Sequence, residues 1–184
     1  MTEHKEVHLE TATLAGGCFW CVEAVYDEMK GVEKVESGYI GGAVVNPTYK
    51  QVCTGTTGHA EAVNVYFDPA IVSFEDILRV FFHVHDPTTL NRQGNDIGTQ
   101  YRSDIFFHSA AQKASAEKIQ SEIAESGLWS GKIVTGLTPY SHFYKAEDYH
   151  QDYYHQNGHN PYCAVVISPK MAKFRKAFKE RLKK

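Results

Sequence analysis

The stretch best equipped for chemistry is Gly16-Gly17-Cys18-Phe19-Trp20-Cys21-Val22-Glu23. Val7 to Leu14 alternates as a strand does and stops at the glycines, and Phe19 to Met29 reads as a helix closed by Gly31. Cys18 therefore falls at the head of a helix, where unpaired backbone N–H groups favour an anion and lower a thiol's pKa. The two glycines let another molecule approach the backbone closely. Cys18 and Cys21 lie one helical turn apart, close enough for a disulfide. The competing reading is that both thiols are core residues, because free cysteine is often buried.

The elements that must position this corner follow in order. Val32 to Tyr39 reads as a second strand, and Ala60, Ala62, Val63, Val65 and Phe67 mark a third, closed by Asp68-Pro69. Ser73 to Asp76 resembles a capping box, ahead of a helix with Ile77, Leu78, Val80, Phe81 and Val84 on its apolar face. Asp86 to Gln100 is a long polar loop, and long structured loops are often functional. Ile105 to Phe107 and Ile133 to Leu137 read as strands, with a helix from Ser109 to about Glu125 between them. Ala164 to Ile167 reads as a buried strand, and Ser168-Pro169 opens a last helix striped with Met171, Phe174, Phe178 and Leu182. The expected fold is an α/β (α+β) two-layer sandwich, a mixed sheet with a βαββαβ, ferredoxin-like core plus C-terminal additions. One domain is expected over residues 1–184, its core about 7–168 and its basic amphipathic helix about 169–184.

Composition narrows the function. Nineteen Lys+Arg against twenty-two Asp+Glu give a net charge of −3, which argues against a dedicated nucleic-acid binder. No apolar run approaches a membrane span, and the polar start lacks an apolar signal core, so a cytoplasmic protein is expected. Four cysteines are too few for a disulfide scaffold in 184 residues.

Gly-Cys-Phe-Trp, as it stands at 17–20, resembles the signature of the A-type peptide methionine sulfoxide reductases. Gly38-Tyr39-Ile40-Gly41-Gly42, Asn46-Pro47-Thr48-Tyr49, Thr57-Gly58-His59-Ala60-Glu61-Ala62-Val63 and His85-Asp86-Pro87 continue the likeness. So do Arg92 through Ser103, Ala146-Glu147-Asp148-Tyr149-His150-Gln151 and Asn160-Pro161-Tyr162-Cys163. Long motifs in register over most of the chain are far more specific than one tetrapeptide.

The resemblance implies thiol-dependent reduction of methionine S-sulfoxide, free or in proteins. It assigns Cys18 as nucleophile and Glu61 as general acid. Alternation alone would make Glu61 a solvent-facing strand residue; its apolar neighbours suit an acid of raised pKa. Tyr49 and Tyr101 match hydroxyls that bind the sulfoxide oxygen, Asp96 a substrate-positioning residue, and Phe19 and Trp20 the wall around the methyl group. Attack leaves Cys18 as a sulfenic acid, which a second thiol condenses to a disulfide. A thioredoxin-like protein or dithiothreitol then reduces it, with no resident metal, flavin or nicotinamide. Two departures stand out. Many relatives have Gly where this chain has Cys21, and many carry the recycling cysteine on a Gly-rich tail, whereas Cys163 runs straight into Ala164-Val165-Val166-Ile167. Cys163 and Cys21 are therefore rival resolvers. Cys53 reads as structural and buried.

Two other chemistries compete. Cys18, Cys21, His159 and Cys163 have the ligand types of a zinc site, which would occupy the thiols that a reductase needs. The Cys18–Cys21 pair could mark a general dithiol oxidoreductase, although Phe19-Trp20 would crowd a protein disulfide partner. His83, His85, His142, His150, His155 and His159 read mostly as surface or capping groups and are assigned no chemistry. The basic face of the last helix reads as a solvated face suited to a helix C-terminus.

Overall fold

A computed structural model describes residues 6–184. Strand β1 (Glu10–Gly16) leads into helix α1 (Phe19–Asp27), then β2 (Val32–Ile40), a short α2 (Tyr49–Cys53), β3 (Ala60–Phe67) and α3 (Phe74–Val84). A two-residue hairpin, β4 (Arg92–Gln93) and β5 (Asp96–Ile97), interrupts the long loop before β6 (Ser103–Phe107). Helix α4 (Ala110–Ser126), strands β7 (Gly136–Pro139) and β8 (Tyr144–Lys145), and helices α5 (Tyr153–Gln156) and α6 (Ser168–Ala177) complete the chain.

The sheet order is β7-β6-β1-β3-β2-β8. Its four central strands, β6-β1-β3-β2, pair antiparallel throughout. This is the βαββαβ sandwich expected from the element order, with β7 added parallel to β6 and β8 added to β2. Helix α1 packs on β2 and β3, and α3 packs on β1 and α4. Strand alternation then divides β3. Val63, Val65 and Phe67 join the main core with α1 and α3, whereas Ala60 and Ala62 join Ala15, Ile40 and Phe106 in a smaller cluster. Glu61 shares the parity of Val63, so it points toward the helices.

The ends follow local signals closely. Ser73 caps α3 by accepting from the Asp76 N–H, and Gly127, at φ +74, ends α4 in the left-handed conformation. Several sequence expectations shift. The first strand begins at Glu10 rather than Val7. The strand expected at Ile133–Leu137 forms only at Gly136–Pro139, where β6 offers a parallel edge.

Ala164–Ile167 is not a strand. Cys163–Ile167 makes a π-helical turn that runs directly into α6, burying Cys163 and Ile167 while Ala164 and Val165 face solvent. A four-residue apolar run fits a strand or a helical turn equally well until its neighbours are placed. The last helix stops at Ala177. Beyond it, Leu182 bridges to Met29 and the Lys183 N–H donates to Glu28 O, so the end of the chain is tied back beside α1 as a strap.

Candidate active site

The corner between β1 and α1 is built by steric exclusion. Gly17 has φ +89, and a Cβ there would lie 2.6 Å from Gln93 Cγ. Gln93 is itself fixed: its Oε1 accepts from the Asp86 N–H at 2.9 Å and its Nε2 donates to Asp86 O at 2.9 Å. The long loop is thereby stapled against the glycine corner, which brings Asp96 and Tyr101 toward α1.

Cys18 is the residue before the first turn of α1, as expected. Glu61 is 1% exposed, and its Oε1 accepts from the Phe19 N–H at 3.2 Å. Burial raises its pKa to about 8, against the pull of that N–H bond, and nearby Asp96 and Cys21 push the same way. The carboxyl therefore carries a proton at neutral pH. Tyr49 and Tyr101 lie close enough to Glu61 that its charge, after burial, is the next cause holding their phenols above the usual range. Both keep their protons.

The expected depression of the Cys18 thiol does not occur. Burial pushes it well up, and Cys21 and Glu61 reinforce the effect, while a hydrogen bond with Tyr162 opposes it. Removal of the sulfur from water is the largest cause, and a carboxyl and a second thiol stand beside it. Cys21 shares a hydrogen bond with Cys18 that lowers its own pKa, and the charge of Lys170 works in the same direction.

Phe19 and Trp20 form one wall. Trp20 stacks on Tyr153 at 3.7 Å between centroids and 7° between planes, and its Nε1–H donates to His150 Nδ1 at 3.0 Å. Phe19 stacks on Tyr49 at 6.4 Å. Asp96 meets the thiols through Tyr162: the Tyr162 hydroxyl donates to Asp96 Oδ2 at 2.7 Å and lies beside Cys18. Pairwise contacts and charge effects thus link Cys18, Cys21, Phe19, Trp20, Tyr49, Glu61, Asp96 and Tyr101 into one neighbourhood, and Cys163 joins it through Cys21. The Cys163 thiol is fully buried, burial raises its pKa, and the neighbouring thiol that bears on it is Cys21.

Further residues stood in the matching motifs without an assigned role. Glu147 accepts from the Tyr39 hydroxyl at 2.9 Å and the Tyr49 N–H at 3.0 Å, which fixes Tyr49. His150, read as a surface or capping group, is buried between Trp20 and Tyr49, and its Nε2 has no hydrogen-bond partner among the described residues. His85 is buried too; its Nε2 accepts from Ser103. Cys53 reverses its expectation. It is exposed at the end of α2, hydrogen-bonded to Tyr49, because the apolar inward position of that short helix is taken by Val52. The zinc alternative needed His159 to join three thiols. Among the described residues, the one cluster whose ligand atoms lie within 4.8 Å of one another is Asp27, Asp152 and His155.

The family profile for peptide methionine sulfoxide reductase matches residues 10–182. The chain belongs to that family. It is 55% identical over 175 residues to the peptide methionine sulfoxide reductase MsrA of Saccharolobus solfataricus, covering 95% of this chain and 98% of that one. Its structure is similar to that of Mxr1 from Saccharomyces cerevisiae in reduced form, with TM-score 0.78 and 36% identity over 88% of this chain and 92% of that one. It is also similar to Mxr1 in complex with Trx2, with TM-score 0.56 and 27% identity over 83% of this chain and 90% of that one. The fold, the family and the oxidoreductase class therefore agree with the reading of the motifs. No helix among the described residues is long and apolar enough to cross a membrane.

Proposed function

We propose that the chain reduces the S epimer of methionine sulfoxide, free or within proteins, by attack of Cys18 Sγ on the sulfoxide sulfur with Glu61 as general acid. The observation that carries this reading is the Glu61 carboxyl: buried, proton-bearing near neutrality, and bonded to the first amide of the helix that Cys18 heads. A sulfoxide oxygen leaves only if protonated, and a preorganised neutral acid in a dry site supplies that proton. Tyr49 and Tyr101, both holding their phenolic protons, donate to the same oxygen. Phe19 and Trp20 pack the methyl group, because sulfur-borne methyls favour aromatic surroundings. Asp96 holds Tyr162, which positions the thiol.

The proton count is simple. The productive state has one proton on the Cys18–Glu61 pair, placed on the carboxyl. The thiolate forms an S–S bond to the sulfoxide sulfur as Glu61 protonates its oxygen. Collapse transfers the hydroxyl to Cys18, releasing methionine and leaving Cys18 as a sulfenic acid. A second thiol attacks that sulfur, water leaves, and a disulfide remains. Cys21 is the resolver in this reading, being hydrogen-bonded to Cys18, whereas Cys163 is fixed in a turn continuous with α6 and neighbours Cys21. A thioredoxin-like dithiol restores both thiols by exchange. The partner of Mxr1 in the similar complex, Trx2, supports a reductant of this kind. No resident metal, flavin or nicotinamide enters the scheme, and a cytoplasmic setting suits a thiol cycle of this kind.

Stereo-resolved reduction of N-acetyl-methionine sulfoxide with dithiothreitol tests the reading. Wild type should consume the S epimer only, and Cys18→Ser neither. Equal consumption of both epimers, or an active Cys18→Ser, would refute it.

A further inference from the structure

Glu23 is a buried carboxyl for which the reaction has no use. It sits on α1, three residues after Trp20, and is 3% exposed. Its Oε1 accepts from the Asp152 N–H at 2.6 Å and its Oε2 from the Ser37 hydroxyl at 2.9 Å. A group this costly to bury is retained where its hydrogen bonds hold parts together.

The parts are identifiable. Ser37 also closes a ring of bonds with Gln151: the Ser37 N–H donates to Gln151 Oε1 at 3.0 Å, and Gln151 Nε2 donates to Ser37 O at 3.0 Å and to Ala146 O at 3.1 Å. Glu23 and Gln151 together tie residues 146–152 to α1 and β2. The chain beside this tie carries the two groups that hold Trp20. His150, one residue before Gln151, accepts from the indole N–H, and Tyr153, one residue after Asp152, stacks on the indole face. Asp152 itself adopts φ +54, a conformation unfavourable for a residue with a Cβ, and Glu23 holds its N–H there.

We infer that Glu23 is a positioning residue: with Ser37 and Gln151 it clamps the segment that fixes Trp20, and so sets the affinity for the sulfoxide without touching it. This rests on Trp20 forming the methyl wall. Burial raises the Glu23 pKa to about 7, but the clamp survives either protonation state. Protonated on Oε2, the group donates to Ser37 and still accepts from Asp152. A glutamine can do the same, with its amide N–H₂ on Ser37. A methionine of equal length can do neither.

The test is methionine formation in single turnovers, without external reductant, at varied S-sulfoxide concentration. Glu23→Met should raise the half-saturating concentration about tenfold while the limiting rate stays within about threefold, the signature of lost uniform binding. Glu23→Gln should restore wild-type behaviour. In a Trp129→Phe background, Glu23→Met should also shift the Trp20 emission, which a purely structural role elsewhere would leave alone. Gln151→Met cuts the clamp from its other side and should match Glu23→Met, which keeps the test available if that variant does not fold. A folded Glu23→Met with unchanged half-saturation and emission would overturn the inference, as would a Glu23→Gln equally impaired. Trp20→Ala separates the two ideas: if it leaves half-saturation unchanged, the methyl-wall reading fails instead.

Discussion

Glu61→Gln offers the sharpest view of the chemistry. The substitution keeps shape and keeps the Phe19 N–H bond, since the amide oxygen can occupy the Oε1 position. It removes the acid. General acid catalysis contributes roughly 10²–10⁴-fold, or about 3–5.5 kcal/mol of barrier. One effect opposes the loss: the Glu61 charge is among the causes that raise the Cys18 thiol, so its removal frees some thiolate. The expected fall in the single-turnover rate at pH 8 is therefore at the lower part of that range, about 10²-fold.

The pH profile carries the sign. Wild type needs one proton on the Cys18–Glu61 pair. Below about pH 8, the value of Glu61, the pair holds two protons and lacks a thiolate. Above the raised value of Cys18 it holds none and lacks an acid. The single-turnover rate should therefore rise through about pH 8 and fall again at higher pH. In Glu61→Gln there is no acid to lose at high pH, so the rate should climb to a plateau and not fall. Omitting dithiothreitol from the reaction keeps the reductant's own titration out of the profile. A Glu61→Gln rate within about fivefold of wild type, or a surviving high-pH decline, would refute the assignment of Glu61 as the acid.

Thioredoxin-coupled turnover should collapse in Cys21→Ser while the single-turnover yield of methionine stays near one per enzyme; a Cys163→Ser variant alone showing that pattern would move the resolver to Cys163. Tyr162→Phe removes the hydroxyl shared by Asp96 and Cys18, and its single-turnover rate should drop about tenfold, read from the same quench experiment. Gly17→Ala places a Cβ 2.6 Å from Gln93 Cγ at φ +89, so it should lower stability by more than about 1 kcal/mol in a urea melt and depress activity together with it.

Much of this protein was written locally. Gly16 and Gly17 had to end β1, and the apolar spacing after Phe19 had to continue as a helix, so Cys18 could be placed at its head from the sequence. The Ser73 cap, the Gly127 stop and the order of strands and helices were equally local, and with antiparallel pairing that order yields the four-strand core. Cys18, Glu61, Tyr49, Tyr101 and Asp96 were legible through motifs in register, not through periodicity. Glu61 was expected to face solvent, but it shares the parity of Val63 and Val65 on β3 and so points into the core.

Tertiary structure decided what depends on distant neighbours. Glu61 is buried because its strand face meets α1, and that burial, rather than its residue type, makes it an acid at neutral pH. Cys18 is raised rather than lowered because it is taken out of water beside Cys21 and Glu61, surroundings that no local pattern encodes. Cys163–Ile167 took a π-helical turn, since four apolar residues do not choose between strand and helix until their partners are placed. Cys53 faced outward because Val52 occupies the inward position of a five-residue helix. Glu23 acquired its partners from Ser37 on β2 and from Asp152 near the end of the chain, and only the docking of that segment on α1 brings them within hydrogen-bond reach.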